Sequence, residues 1–235
     1  MNSIILHSSD GIISDPKILE HLIKNLKANP GDTFKCTVLD KGLCVGTIKS
    51  LSSTLCQLEL SEIKSQTQQW FDLVVGISRP QTSKKILEHA TTFGAQKIHF
   101  FKAALSEKSY LDAKVFEQKE INEHLVAGLS QSALYSSLPT VKVDKYNPAD
   151  SYKDIPQKFI LDLNAKENFL DHRSSINFDT TVTLAIGPER GFISEDIERF
   201  HQAGFKSVKI SSSVLRVEHA IYSAVSQLEL IRGRY

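Results

Sequence analysis

The chain has 235 residues, of which 41% are hydrophobic and 23% charged, a balance that supports a folded core and excludes a disordered polymer. Its 28 basic and 27 acidic side chains nearly cancel, so a nucleic-acid partner is neither demanded nor excluded, and would need basic residues grouped on one face. No run of about 18 apolar residues occurs and the Met-Asn-Ser-Ile-Ile-Leu-His start lacks a signal peptide's basic and apolar regions, so a cytoplasmic protein with no membrane span is expected.

A first helix is predicted over 16–27, opened by Ser14-Asp15-Pro16, with Ile18, Leu19, Leu22, Ile23 and Leu26 at helical spacing. Three short strands follow at 33–39, 43–50 and 54–61, separated by Pro30-Gly31-Asp32, Asp40-Lys41-Gly42 and Ser52-Ser53. They carry Cys36, Cys44 and Cys56 among apolar residues. With no CxxC spacing, buried reduced thiols are expected rather than a metal or redox site. A small β-barrel carrying one helix accounts for residues 1–70.

The pattern changes near 66–70, after which strands and helices alternate. Strands are predicted at 73–78, 97–101, 159–163, 182–186 and 208–210, and helices at 82–93, 117–134, 194–203 and 215–231. Gly94 and Gly204 end two of these helices, and the polar stretch 144–157 reads as a loop. Residues 71–235 therefore form an α/β domain with a parallel sheet and helices on both faces. Basic residues gather at Lys24 and Lys27, at Arg79, Lys84 and Lys85, and at Lys102 and Lys108. Each cluster taken singly reads better as solvated surface.

Two loops near the C-terminus carry the chemistry. In the first, a buried strand runs into Ile186-Gly187-Pro188-Glu189-Arg190-Gly191. In open α/β sheets, ligands bind at the carboxyl ends of strands. Glycine admits close approach and proline stiffens the turn. Glu195 and Asp196 follow in the first turn of the next helix and disfavour a phosphate there. A plain strand-to-helix turn fits the same residues. In the second loop, a strand ends in Ser211-Ser212-Ser213 and Leu215-Arg216-Val217-Glu218-His219 opens the last helix. An arginine, a glutamate and a histidine at the mouth of a sheet can orient a substrate and move a proton; a solvated, capped helix start is the plainer alternative. A dehydrogenase is disfavoured because no GxGxxG follows the first α/β strand.

The order and spacing of these loops resemble the SPOUT class of RNA methyltransferases, and more closely the RsmE-type family that methylates N3 of a uridine in 16S ribosomal RNA. Ile186-Gly187-Pro188-Glu189-Arg190-Gly191-Phe192 stands where that family has Ile-Gly-Pro-Glu-Gly-Gly-Phe, and Leu215-Arg216-Val217-Glu218-His219-Ala220 where it has Leu-Arg-Thr-Glu-Thr-Ala. His21-Leu22, Leu26-Lys27, Gly31-Asp32, Gln131-Ser132 and Pro139 extend the likeness over the chain. Departures are Arg190 for a glycine, Val217 and His219 for two threonines, Lys27 for an arginine, Thr92-Phe93-Gly94-Ala95 for Glu-Leu-Gly-Val, and missing arginines near Glu107–Lys108 and after Gln131.

The resemblance implies an N-terminal PUA-like RNA-binding barrel over 1–70 and a SPOUT domain over 71–235 whose trefoil knot forms the cofactor pocket. It further implies S-adenosylmethionine as cofactor, small-subunit ribosomal RNA as substrate, no metal, and a homodimer. Leu161, Leu163, Ile186, Gly187, Pro188, Glu189, Gly191, Ile210, Ser211 and Leu215 would hold the cofactor. Arg216 and Glu218 would be catalytic, with Glu218 or His219 as base, and Lys24, Lys27, Arg79 and Lys84 would meet RNA. Two alternatives remain: another RNA site as substrate, and an RNA-binding protein without activity.

Overall fold

The computed structural model describes residues 2–65 and 67–233. Its contacts divide the chain into two units, Met1–Gln69 with Val126–Leu138, and Trp70–Leu125 with Pro139–Tyr235.

The first unit holds β1 (Ile4–Leu6), β2 (Ile12–Ile13), β3 (Thr33–Val38), β4 (Gly42–Leu51) and β5 (Cys56–Leu60) in one sheet of order β1-β3-β4-β5-β2. The two edge strands are consecutive in the chain. The five residues 7–11 that join them reach at most roughly 18 Å, so the sheet curls until its edges approach, giving a barrel-like form. β4 alternates as a half-buried strand should, with Cys44, Gly46 and Ile48 buried and Val45 exposed. All three cysteines are free and buried. Burial pushes the Cys36 thiol up to about 12, so it packs as a small apolar group.

The predicted first helix is shorter and changes form. α1 spans Pro16–Glu20, with Asp15 accepting from the Lys17 and Ile18 N–H groups. His21–Asn25 then continues as a π-helical turn, closed by Leu26 N–H donating to the His21 carbonyl. The wider turn shifts the facing by about one residue. Leu19 and Leu22 are buried, while Ile23 and Leu26, four residues on, turn outward to 39% and 46% exposure. The apolar stripe is thus only half used.

The second unit contains β6 (Phe71–Gly76), α2 (Pro80–Thr92), β7 (Ala95–Phe101), the first part of α3 (Gln118–Ser132), β8 (Thr140–Asp144), β9 (Lys158–Leu161), β10 (Val182–Ile186), α4 (Ser194–Gln202), β11 (Lys206–Val208) and α5 (Val217–Arg232). The six strands pair in the order β11-β9-β10-β6-β7-β8, and every pair is parallel. β10 is buried at all five positions, as a strand covered on both faces must be. From β8 the chain crosses to the far side of β6, so the order reverses between β6 and β10. Strands expected at 159–163 and 208–210 end sooner, at Leu161 and Val208, which releases Leu163 and Ile210 into loops. β8, absent from the predicted elements, forms the outer strand beside β7.

Asp72 on β6 is set into this sheet beside Thr183 of β10 and Lys97 of β7. Its Oδ1 and the Thr183 hydroxyl are buried without a hydrogen-bond partner among the described residues. Burial raises the Asp72 pKa to about 6, against the pull of Lys97. A carboxyl whose folded pKa lies above its unfolded value favours folding fully below about pH 4, and that contribution is lost as pH rises through about 6. Asp72→Asn is therefore expected to gain about 1–2 kcal/mol at pH 8 and to flatten the stability profile between pH 4 and 6. Urea unfolding at both ends of that range checks this; a variant less stable than the parent at pH 8 contradicts it.

Candidate functional site

The carboxyl ends of β9, β10 and β11, with the start of α5, surround a cleft of about 230 Å³. Its walls are mostly apolar: Leu161, Leu163, Ile186, Pro188, Ile210, Val214, Leu215, Val217 and Ala220. Asp162, Glu189, Arg190, Ser211 and Ser213 add polar groups. All ten residues that the sequence singled out for a cofactor lie here. Residues that it did not single out, among them Asp162, Phe192, Val214 and Val217, complete the wall.

The loop after β10 is shaped by two close approaches. Pairing of Ile186 with Val75 sets Gly76 beside Pro188. A Cβ on Gly76 would stand 2.5 Å from Pro188 Cδ and 2.7 Å from its nitrogen. A Cβ on Gly187 would lie 3.1 Å from backbone atoms of Gly191 and Phe192, so the loop closes tightly on itself. Gly191 N–H donates to the Pro188 carbonyl at 2.8 Å, and Gly191 has φ +75. Arg190 is exposed and is not among the non-glycine residues with positive φ, so a side chain fits where the related family has glycine.

Glu189 ties the loop to the next element. Its Oε1 accepts from Arg79 N–H at 2.8 Å, at the α2 N-cap, where no side chain of the helix itself caps. A carboxylate there also meets the positive end of the helix dipole. Asp196 of α4 likewise joins neighbouring segments. It is buried, and accepts from Ala104 N–H and Asn147 Nδ2, both at 3.2 Å.

A second cleft adjoins the first across Glu189, lined by Arg79, Pro80, Gln81, Thr82, Lys85, Tyr110, Glu189, Arg216 and Glu218. Arg216 is the N-cap residue of α5 and is exposed, and its guanidinium makes no ion pair among the described residues. Glu218 is only 4% exposed, which removes the alternative of a solvated helix start, and its Oε1 receives Lys85 Nζ at 3.1 Å. Burial works to raise its pKa, but its own backbone N–H, the Lys85 ammonium and the charge of His219 outweigh burial and hold it below the usual carboxylate range. His219 is exposed beside Tyr222, whose ring stacks on His89 at 4.8 Å. Burial lowers the pKa of His89.

The basic residues divide. Arg79 lines the second cleft, while Lys84 faces Glu120 at 3.9 Å. Lys24 pairs with Glu20 at 2.8 Å on the first unit, and Lys27 is exposed with φ 49. Lys85 and Tyr110 are site residues that the sequence did not single out. Lys85 showed only as one of a basic cluster, and Tyr110, in a short turn at Lys108–Tyr110, gave no signal.

A cleft at the carboxyl edge of a parallel sheet is where such folds bind ligands, and sequence comparison defines the class: a model of the RNA methyltransferase domain matches residues 65–229, and the chain belongs to that family. More closely, it belongs with the ribosomal RNA small subunit methyltransferase E proteins. It is 31% identical to ribosomal RNA small subunit methyltransferase E 1 of Borreliella burgdorferi over 91% of this chain and 90% of that one. It is 28% identical to ribosomal RNA small subunit methyltransferase E of Treponema pallidum, over 87% and 79%. The fold matches the crystal structure of a ribosomal RNA small subunit methyltransferase E from Neisseria gonorrhoeae bound to S-adenosyl methionine, with TM-score 0.77, 18% identity and 98% of both chains covered.

Because Gly76 touches Pro188, Gly76→Ala must push the loop off β6. A loss of about 1–3 kcal/mol is expected, as for other overpacked contacts, read as a lower urea midpoint at unchanged slope. An unchanged midpoint would show that the loop moves freely.

Proposed function

We propose that this protein transfers a methyl group from S-adenosylmethionine to N3 of a uridine in the ribosomal RNA of the small subunit. One observation carries the reading: an apolar, loop-built cleft and a charged cleft share a wall at Glu189. The first suits a flat, uncharged adenine, whose edges can be met by backbone groups of the loops following β9, β10 and β11. Asp162 at its edge suits hydroxyl or ammonium groups, and Arg190 a carboxylate, so the residues present fit the cofactor. When bound, S-adenosylmethionine supplies the methyl group. The relatives named above for the same reaction class, and the cofactor named with the Neisseria gonorrhoeae structure, support this assignment.

The second cleft takes the nucleoside. Uridine N3 carries a proton that must leave before the nitrogen can accept a methyl group. Arg216 at the rim is the cation for the resulting uracil anion or a neighbouring phosphate. Glu218 is the acceptor that meets N3–H, with His219 the alternative base. Arg79, Lys24, Lys27 and Lys84 belong to the RNA-binding surface in this reading, and the barrel-like unit serves as the PUA-like RNA-binding domain. The β11-β9-β10 order, with three loops meeting at one cleft, fits the trefoil knot of the SPOUT class, and the active form is a homodimer. Small ribosomal subunits set the place of action in the cytoplasm.

Arg216→Ala is expected to abolish methylation of small ribosomal subunits while binding of S-adenosylmethionine, followed by calorimetry, changes little. Full activity in that variant removes Arg216 from the chemistry. Absence of any heat on titrating the parent protein with the cofactor would sink the reading as a whole and leave an RNA-binding protein.

A further inference from the structure

Lys85 neither supplies the methyl group nor takes the uridine proton. It stands on α2, two turns before Thr92 ends the helix, and its side chain is half exposed while that of Glu218 is 6% exposed. An exposed cation has no need of a buried partner, but a buried carboxylate depends on the cation. Lys85 engages Oε1 of Glu218, and both residues line the second cleft with Arg79 and Arg216.

We propose that Lys85 is the positioning residue of this site: it fixes the Glu218 carboxylate in one orientation and in its charged form, so that Oε2 is the oxygen offered to the uridine N3–H. The inference rests on the nucleoside reading of the second cleft. N3–H must be met by an acceptor, and a protonated carboxyl would offer a donor instead. With Lys85 in place, the proton leaves N3, its electron pair stays on nitrogen, and Glu218 Oε2 takes the proton. The negative charge passes from the carboxylate to the uracil ring, where Arg216 and Arg79 face it.

Besides its own backbone N–H, three titratable groups stand around Glu218. His219 neighbours it on α5 and lowers its pKa. His89 of α2 lies close enough for the two to influence each other, but burial keeps that ring towards its neutral form. Glu189 is in the same cleft and is committed to Arg79 N–H. Lys85 is the cation bonded to the carboxylate. Its removal leaves a buried acid with only its own backbone N–H and His219 acting against burial, and the Glu218 pKa then rises towards and above the usual carboxylate range.

The test is a direct titration of Glu218 by carbon-detected NMR in the whole protein, with Glu218→Gln identifying the signal. Lys85→Met and Lys85→Gln are compared with Lys85→Arg. In the first two, the Glu218 midpoint is expected to rise by about 1–2 pH units, with Lys85→Arg restoring the parent value. The acidic limb of methyl transfer to small ribosomal subunits should move by the same amount, while calorimetric affinity for S-adenosylmethionine holds. A purely structural lysine would lower the melting temperature without moving either midpoint, and that outcome overturns the proposal. A moved NMR midpoint in a protein that methylates no uridine supports Lys85 as the residue that sets Glu218 and refutes the uridine reading alone. If Lys85→Met fails to fold, the half-exposed polar Lys85→Gln decides.

Discussion

Two strands that lie side by side end at the same height, and their ends leave no room between them. β6 and β10 run parallel with Val75 opposite Ile186, and the next residues, Gly76 and Gly187-Pro188, meet at van der Waals distance. A proline ring occupies the volume that a side chain on Gly76 would take. The loop after β10 therefore cannot lie back over β6; it folds on itself through the Gly191-to-Pro188 hydrogen bond and turns its inner face to the loops after β9 and β11. The apolar cleft is what remains between those three loops.

The same loop couples the two clefts. Glu189 reaches from it to the first backbone N–H of α2, the helix that carries Lys85. α2 packs against α5, which carries Glu218 in its first turn. A carboxylate at a helix start and an ammonium on a buried carboxylate are thus successive links from the loop after β10 to Glu218. Neither link needs a large motion to be felt.

Much of the α/β unit is visible in the amino-acid order because its signals are local. Short segments rich in apolar and β-branched residues give β6, β7 and β10, and Gly94 and Gly204, both at φ +86, stop α2 and α4 where expected. The tight loop after β10 was legible as glycine and proline at a strand end. What could not be seen depends on distant partners. β1 is a strand because β3 is beside it, and β8 because β7 is. Leu19, Leu22, Ile23 and Leu26 share a spacing, yet one π turn splits them between inside and outside. Glu218 was visible as a charged residue at a helix start, but not its burial or its pairing with a lysine 133 positions away. Arg190 and Val217, departures from the related family's pattern, occupy positions whose backbone and burial accept them.

The segment Val126–Leu138 gives the protein a particular order of assembly. The N–H groups of Asn2 and Ser3 both donate to the carbonyl of Ser130, and Asp40 N–H to that of Ser136. A ribosome making this chain will have released all five barrel strands long before those carbonyls exist. During that interval the amino-terminal strands wait with bare donors while β6, α2 and β7 are being translated. The earliest part of the polypeptide thus reaches its final form only after the middle has emerged, and a nascent chain halted before residue 126 would hold an unfinished barrel.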